Sequence, residues 1–343
     1  MTWVEPHHSR EQVRKAGKAF IDPATSSTER ELARAVINNW RSAHAFPLNS
    51  VQMVLRNKVL RLSSGDPVVA QRTKRLPSIR RKLERFDKMD LPRMHDIGGC
   101  RAVLESIDDV RVVEQSYVSG KSRTRNLTGR HDDYIANPKT DGYRGVHVVL
   151  NYQGEGTQAA WSGLRVEVQL RTKMQHAWAT ALETVDTFTR QALKSNVGEP
   201  EWMRFFALMG AEGAHREGQP LVPDTPSKAK ERRAEIRQLA DTLRVVERLS
   251  AYGATVQVLE SHVLRKDERH FLLDLDVAAG SLSVRNYSNA AAAEESYGAL
   301  EGEAGGERDI VLVAVSSMAA LRRAYPNYFL DTTVFLDMVR AVN

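Results

Sequence analysis

The chain has a single cysteine, Cys100, among 343 residues. That excludes an internal disulfide framework and a cysteine-based zinc site. No apolar run approaches the ~20 residues needed to span a bilayer. The opening residues, MTWVEPHHSREQ, lack the apolar core of a secretory leader. These absences lead to the expectation of a cytoplasmic protein without membrane contact. Internal repeats are also missing. What remains, 42% hydrophobic and 27% charged residues, is ordinary for a soluble globular fold. The length suits one large domain or two ordinary ones.

The net charge of +6 is unevenly spread. Residues 221–343 hold 15 Lys+Arg against 18 Asp+Glu, so residues 1–220 carry an excess of +9. A basic excess on one part of a chain suits polyphosphate or nucleic-acid ligands, although a solvated charged surface gives the same balance.

Apolar spacing predicts helices over residues 10–62, where Leu32, Ala33, Val36 and Ile37, then Val51, Val54, Leu55, Val59 and Leu60, share helical faces. SSGDP reads as a turn, and a helix is expected from Ser78, as N-cap, to Phe86. Strands are expected at Cys100–Leu104, Val146–Tyr152 and Leu164–Leu170. A further strand near Val110–Val113 could equally be the start of a helix. In the third strand Val166, Val168 and Leu170 face one way, and Arg165, Glu167, Gln169 and Arg171 the other. Helices are expected over Lys173–Phe188 and Glu201–Ala214. Gly218–Ser227 reads as a linker and Lys228–Leu249 as an amphipathic helix. Short strands near Thr255–Leu259, His270–Leu275 and Ile310–Val315 then alternate with helices near Ala290–Leu300 and Ser317–Tyr325, with GALEGEAGGE as a loop. The expected fold is α+β: a mixed β-sheet flanked by helices, plus a smaller C-terminal α+β module. Residues 1–50 form an N-terminal helical segment in this division, 51–217 the main domain, 218–250 the linker and amphipathic helix, and 251–343 a regulatory or recognition module.

Four blocks carry chemistry. In RTKRLPSIRRKL, Arg72, Lys74, Arg80, Arg81 and Lys82 surround Ser78 at a helix start, which makes an anion site or a solvated basic face. In MHDIGGCRAVL, Asp96 precedes two glycines and Arg101. Their odd offset puts Asp96 and Arg101 on opposite faces of a regular strand, unless the chain bends at Gly98–Gly99. Asp96 could otherwise be a plain turn cap. In DYIANPKTDGYRGVH, Lys139, Tyr143, Arg144 and His147 lie in or just past a tight loop, where a ring can stack on a base and a lysine can meet phosphate. In RVEVQLRT, Glu167 is either a functional carboxylate or a surface acid paired with Arg165 or Arg171.

In this order the blocks resemble the nucleotidyltransferase-like domain of the RelA/SpoT family of alarmone synthetases: R-x-K-x-x-x-S, D-[LI]-x-G-x-R, D-Y-I-x-x-P-K-x-N-G-Y and V-E-[VI]-Q-[IL]-R-T. The resemblance covers roughly Val51–Thr189. It implies a pyrophosphokinase that moves the β,γ-diphosphate of ATP to the ribose 3′-hydroxyl of GDP or GTP, with AMP leaving. It implies that Arg72 and Arg101 enclose the adenine, and that Lys74, Ser78 and Lys82 meet the triphosphate. On the same resemblance Asp96 would be the main Mg²⁺ ligand and Glu167 the second carboxylate. Gln169 would orient the acceptor hydroxyl and Tyr143 would stack on the acceptor base. Lys139, His147 and Arg171 would complete the acceptor side.

Three departures bear on the acceptor. Asp141 stands where the pattern has Asn, and Arg144-Gly145 replaces the common pair after Tyr143. QHAWATALETVDTF is similar to the small synthetases. His95-Asp96 and His131-Asp132 spell the metal pair of the family's hydrolase domain, but the first overlaps the synthetase motif, so no hydrolase activity is expected. Other readings remain. A toxin-type relative, acting in phage defence, would pyrophosphorylate the 3′ end of tRNA or make adenosine alarmones, restrained by its C-terminal module. There Tyr325 and Tyr328 either dock into the adenine pocket or serve as ordinary core aromatics. A catalytically dead RNA-binding regulator is a third class, opposed by the presence of Arg72, Lys74, Asp96, Tyr143 and Glu167.

Overall fold

The structure is a computed structural model that describes residues 3–119, 127–189, 193, 198–254, 257–260, 269–276, 278–303, 308–315, 317–329 and 331–342. Three helices open it: α1 (Arg10–Ile21), α2 (Ser27–Ala43) and α3 (Ala45–Leu62). The first two begin on Ser9 and Ser26, each closed by a capping box with Gln12 or Glu29. Next come β1 (Val68–Thr73), α4 (Leu76–Arg85), β2 (Gly98–Leu104), α5 (Ile107–Val118), β3 (Leu127–Asp133), β4 (Val146–Asn151), β5 (Arg165–Thr172), α6 (Lys173–Thr189) and α7 (Pro200–Arg216). The last third contains α8 (Ala229–Thr242), α9 (Val245–Ala254), β6 (Gln257–Glu260), β7 (His270–Asp276), β8 (Ser281–Tyr287), α10 (Ala290–Glu303), β9 (Arg308–Ala314), α11 (Met318–Ala324) and α12 (Thr333–Arg340).

Among the described residues the strands form one mixed sheet in the order β3-β4-β5-β2-β1-β9-β7-β8-β6. The sheet is flanked by helices, as the α+β expectation requires. β2 and β5 run parallel, with Gly99 opposite Glu167 and Arg101 opposite Gln169. β9 pairs with β1 at Gln71–Ala314 and Arg72–Val313, so a strand from the last third closes the edge that carries Arg72.

α3 and α5 cover one sheet face. There Leu55, Val59, Val110, Val113, Val166, Val168 and Leu170 are completely buried. Each such side chain contributes about 1.5–3 kcal/mol, enough to set the register of β5 and so turn Glu167 and Gln169 to the opposite face. A second core joins α6 and α7 to the last third, with Trp202, Phe205, Phe206, Ile236, Phe335 and Val339 fully buried. No described helix is long and apolar enough to cross a membrane.

The structure corrects several local expectations. Val110–Val113 belongs to α5, because Ser106 caps that helix through the Asp109 amide. α4 begins at Leu76, two residues before Ser78, with Pro77 in its first turn. Lys228–Leu249 is two helices, split at Arg244, whose φ is 51°. The helix expected near Ala290–Leu300 runs on through residues 301–303, read as part of a loop, to complete α10, whose Tyr297 packs on β7 and β9. β1, β3, β8 and α12 carry no sequence expectation. The first two residues of the strand expected at Thr255–Leu259 lie outside the described residues.

Candidate active site

Register places the functional side chains. Directly opposed residues share a face, so Arg72 on β1, Gly99 and Arg101 on β2, Glu167, Gln169 and Arg171 on β5, and His147 on β4 all lie on the face away from α3 and α5. A Cβ added at Gly99 would meet only the Glu167 carbonyl, at 3.9 Å, which leaves open space over the strand at that point.

Asp96 lies two residues ahead of β2, so strand alternation does not bind it. Its two oxygens accept from Lys74 Nζ at 2.7 Å and Lys82 Nζ at 2.8 Å. Burial works against the Asp96 charge, but the two ammonium groups outweigh it and hold the carboxyl well below the usual range. Asp96 is therefore no turn cap.

Glu167 is not paired with Arg165 or Arg171. Its Oε1 lies 3.0 Å from His147 Nδ1, and its Oε2 accepts from Gln169 at 2.7 Å. His147 Nε2 lies 2.5 Å from the Tyr143 hydroxyl, which also accepts from Arg171 at 3.0 Å. Burial raises Glu167, yet His147 lowers it further, to about 2. Desolvation lowers His147, yet Tyr143 and Glu167 raise it to about 9. Burial raises Tyr143, while Arg171 and His147 bring it down to about 8. The outcome is an imidazolium between a carboxylate and a phenol.

Phenolate absorbance checks that arrangement. One tyrosine is expected to ionise near pH 8, against an ordinary value of 10, and Tyr143→Phe should remove that transition. A titration with no tyrosine ionising below about pH 9 would contradict it. Because its folded value is the lower one, Tyr143 stabilises the fold increasingly as pH passes 8, and fully above 10. His147 has the opposite sign: its contribution is complete below 6.5 and is lost as pH rises through 9.

Gln175 and Thr172 hold Glu217, which in turn binds Arg144. The loop is thereby anchored to α7. Tyr134, which the sequence reading did not single out, completes an aromatic cluster: its ring lies 5.8 Å from Tyr143 and 5.3 Å from His147. Lys139 sits 4.2 Å above Tyr134 and 5.0 Å above Tyr143. The only sequence signal for Tyr134 was its place in DYIANPK.

On the donor side the last third covers the arginines. Arg101 lies 5.1 Å from the Tyr325 ring centroid and donates to the Ala324 carbonyl. Tyr325 and Tyr328, 4% and 1% exposed, pack in the core that contains Val68, Ala70 and Val103. Desolvation lowers Arg101 to about 10, with Arg171 adding to the effect. Desolvation also opposes the Arg72 charge, but Glu183, Tyr328 and Tyr325 more than offset it. Ser78 is half-buried on α4.

Residues 71–186 match the model of the region found in RelA / SpoT proteins. The GTP pyrophosphokinase YjbM of Bacillus subtilis is 32% identical over 114 residues, which cover 33% of this chain and 52% of the relative. The GTP pyrophosphokinase of Escherichia coli K12 is 32% identical over 109 residues, 31% of this chain and 12% of the relative. The chain thus spans about half the length of the first relative and far less of the second. Small alarmone synthetase 1 from B. subtilis, solved bound to its product pppGpp, aligns with a TM-score of 0.44 at 21% identity, covering 55% of this chain and 94% of that one. Residues 71–186 are thus similar to the region that RelA / SpoT proteins share.

Proposed function

We propose that the protein is an ATP-dependent pyrophosphotransferase that moves the β,γ-diphosphate of ATP to the ribose 3′-hydroxyl of GDP or GTP. The observation that carries this reading is one cluster: Asp96 held by Lys74 and Lys82, within electrostatic reach of the Glu167–His147–Tyr143 network. The 3′-oxygen forms a bond to the β-phosphorus of ATP, the bond to the α-phosphate oxygen breaks, and AMP leaves. Such transfers rely on alignment and charge cancellation rather than covalent help.

Two carboxylates close enough to repel each other fit Mg²⁺, which takes one or two acids and fills its shell with phosphate oxygens and water. Asp96 and Glu167 would hold that ion, and it would neutralise charge developing on the phosphates. Lys74 and Lys82 would pass from Asp96 to phosphate oxygens. Glu167, ionised at neutral pH, would accept the hydroxyl proton, with Gln169 orienting the hydroxyl. Its depressed pKa makes it a weak base, which suits a transfer with a loose transition state. Tyr143 and Tyr134 would receive the acceptor base, and Lys139 its phosphates.

A second reading, of a toxin-type enzyme acting on the tRNA 3′ end or making adenosine alarmones under C-terminal restraint, is favoured by one contact. Arg101, given to adenine by the family pattern, is already taken by Tyr325. One experiment addresses both readings. The full chain and Tyr325→Ala are each given γ-labelled ATP and Mg²⁺ with GDP, GTP, ADP, ATP or bulk tRNA. Label in guanine nucleotides supports the first reading, and label in tRNA or adenine nucleotides the second. Tyr325→Ala is expected to raise transfer by about tenfold, the weight of a desolvated cation–π contact. Tight RNA binding with no transfer in either protein would make the chain a non-catalytic regulator. Truncation at Leu221 is a poor substitute, because it removes β9 from β1 and strips Ile236 and Phe335 from the core around Phe206.

A further inference from the structure

A second contact between the last third and the donor side involves charge. Glu301, near the end of α10, reaches the start of α4, the helix that carries Ser78 and Lys82. Its Oε1 accepts from the Leu76 backbone amide at 2.8 Å and from the Tyr297 hydroxyl at 3.0 Å. Its Oε2 accepts from Arg41 Nη1 at 2.7 Å. Arg41 Nη2 lies 2.8 Å from the Tyr297 hydroxyl and 3.3 Å from Oε1. The side chains of Arg41 and Glu301 are 5% and 6% exposed.

Arg41 does not depend on Glu301 alone for its position. Its Nε donates to the Lys74 carbonyl at 2.9 Å, and its Nη1 also reaches Asn38 at 3.0 Å. The guanidinium is therefore fixed to the backbone of a residue that binds Asp96, with its fork turned toward the first turn of α4. Desolvation works against the Arg41 charge, and Tyr297 and Glu301 more than offset it. A fixed guanidinium and a helix-start amide, both donating to one carboxylate, form the donor set that phosphate oxygens use.

We propose that Arg41 and the Leu76 amide form a polyphosphate-binding subsite of the donor nucleotide, and that Glu301 fills this subsite as an internal anion. Arg41 lies outside the four motif blocks, so the sequence resemblance assigns it no role. The subsite deepens the pyrophosphotransferase reading and rests on it for the identity of the ligand. It differs from the Tyr325 contact in kind: the tyrosine covers an arginine face suited to a base, and Glu301 covers donors suited to phosphate.

Inorganic tripolyphosphate separates the two contacts, because it has no base. Its affinity for the full chain would be measured calorimetrically, with each variant's melting temperature as the check on folding. Glu301→Gln is expected to tighten binding by about tenfold or more, the weight of charge-assisted hydrogen bonds returned to the ligand. Adding Arg41→Gln to Glu301→Gln should abolish that gain. Tyr297→Phe, which removes one hold on Glu301 and no cation, should tighten binding by about two- to fivefold. Tyr325→Ala should leave tripolyphosphate affinity unchanged.

Unchanged affinity in both Glu301→Gln and Tyr297→Phe would reduce Glu301 to a brace and overturn the proposal. So would a gain that survives the loss of Arg41, or an equal gain in Tyr325→Ala, which would signal general opening of the last third. Binding needs no turnover. A chain that binds tripolyphosphate in this pattern but transfers nothing would therefore sink the pyrophosphotransferase reading and leave the subsite standing.

Discussion

Glu167→Gln is expected to lower pyrophosphate transfer by about a thousandfold, the middle of the range for a lost general base beside a metal. The substitution preserves shape and removes one charge. The amide can still accept from Gln169, which lies 2.7 Å from Oε2, so the β5 face should keep its form. What disappears is the proton acceptor, one prospective Mg²⁺ oxygen, and the carboxylate that, after Tyr143, raises His147. ATP binding should stay within about threefold or tighten slightly, since an anion that repels Asp96 has gone. Rapid-quench transfer and equilibrium ATP binding, measured on the same preparation, separate the two effects. Turnover within about tenfold of wild type would remove Glu167 from the chemistry.

Gly210→Ala should destabilise the fold by about 3 kcal/mol, within the range for forced overpacking. A Cβ at Gly210 would stand 2.4 Å from the Gly142 carbonyl oxygen and 2.7 Å from its Cα. Gly142, at a φ of +96°, packs as closely on α7 from its own side, since a Cβ there would meet the Phe206 carbonyl at 2.6 Å. The backbone of α7 thus touches the backbone of the loop that carries Tyr143, while Arg144 is tied to Glu217 at the end of the same helix. The methyl group must push the loop away or bend the helix. Chemical denaturation should show the loss, and the acceptor KM should rise by about tenfold while the ATP KM moves little. Gly218→Ala supplies the contrast: φ is +63° and nothing lies within 4 Å, so strain of about 1 kcal/mol without a clash is expected. Equal losses in the two variants would show that contact between loop and helix plays no part.

Much of the site was legible along the chain. The alternation of RVEVQLRT assigned Glu167 and Gln169 to one face and Val166 and Val168 to the other, because a strand with one buried side has period two. The basic block before Ser78 and the lysine–tyrosine loop were likewise read from local chemistry. Other features were not. VVAQRT is a short run that becomes β1 only between β2 and β9. VRVV, rich in β-branched residues, is helical because Ser106 caps it and α3 packs on it. GALEGE reads as a loop, yet it continues α10 and delivers Glu301 to Arg41, 260 residues away.

The sequence by itself determined the list of reactive groups and the faces on which β5 presents them, since periodicity and side-chain chemistry are local properties. It also marked the region similar to RelA / SpoT proteins, whose motifs are short and ordered. Only the tertiary structure decided which groups meet: Asp96 with Lys74 and Lys82, Glu167 with His147, Tyr325 with Arg101, and Glu301 with Arg41. Each of those meetings is set by strand register and helix packing across long stretches of chain. Their strength depends on burial, which takes the charges out of water and makes each partner matter.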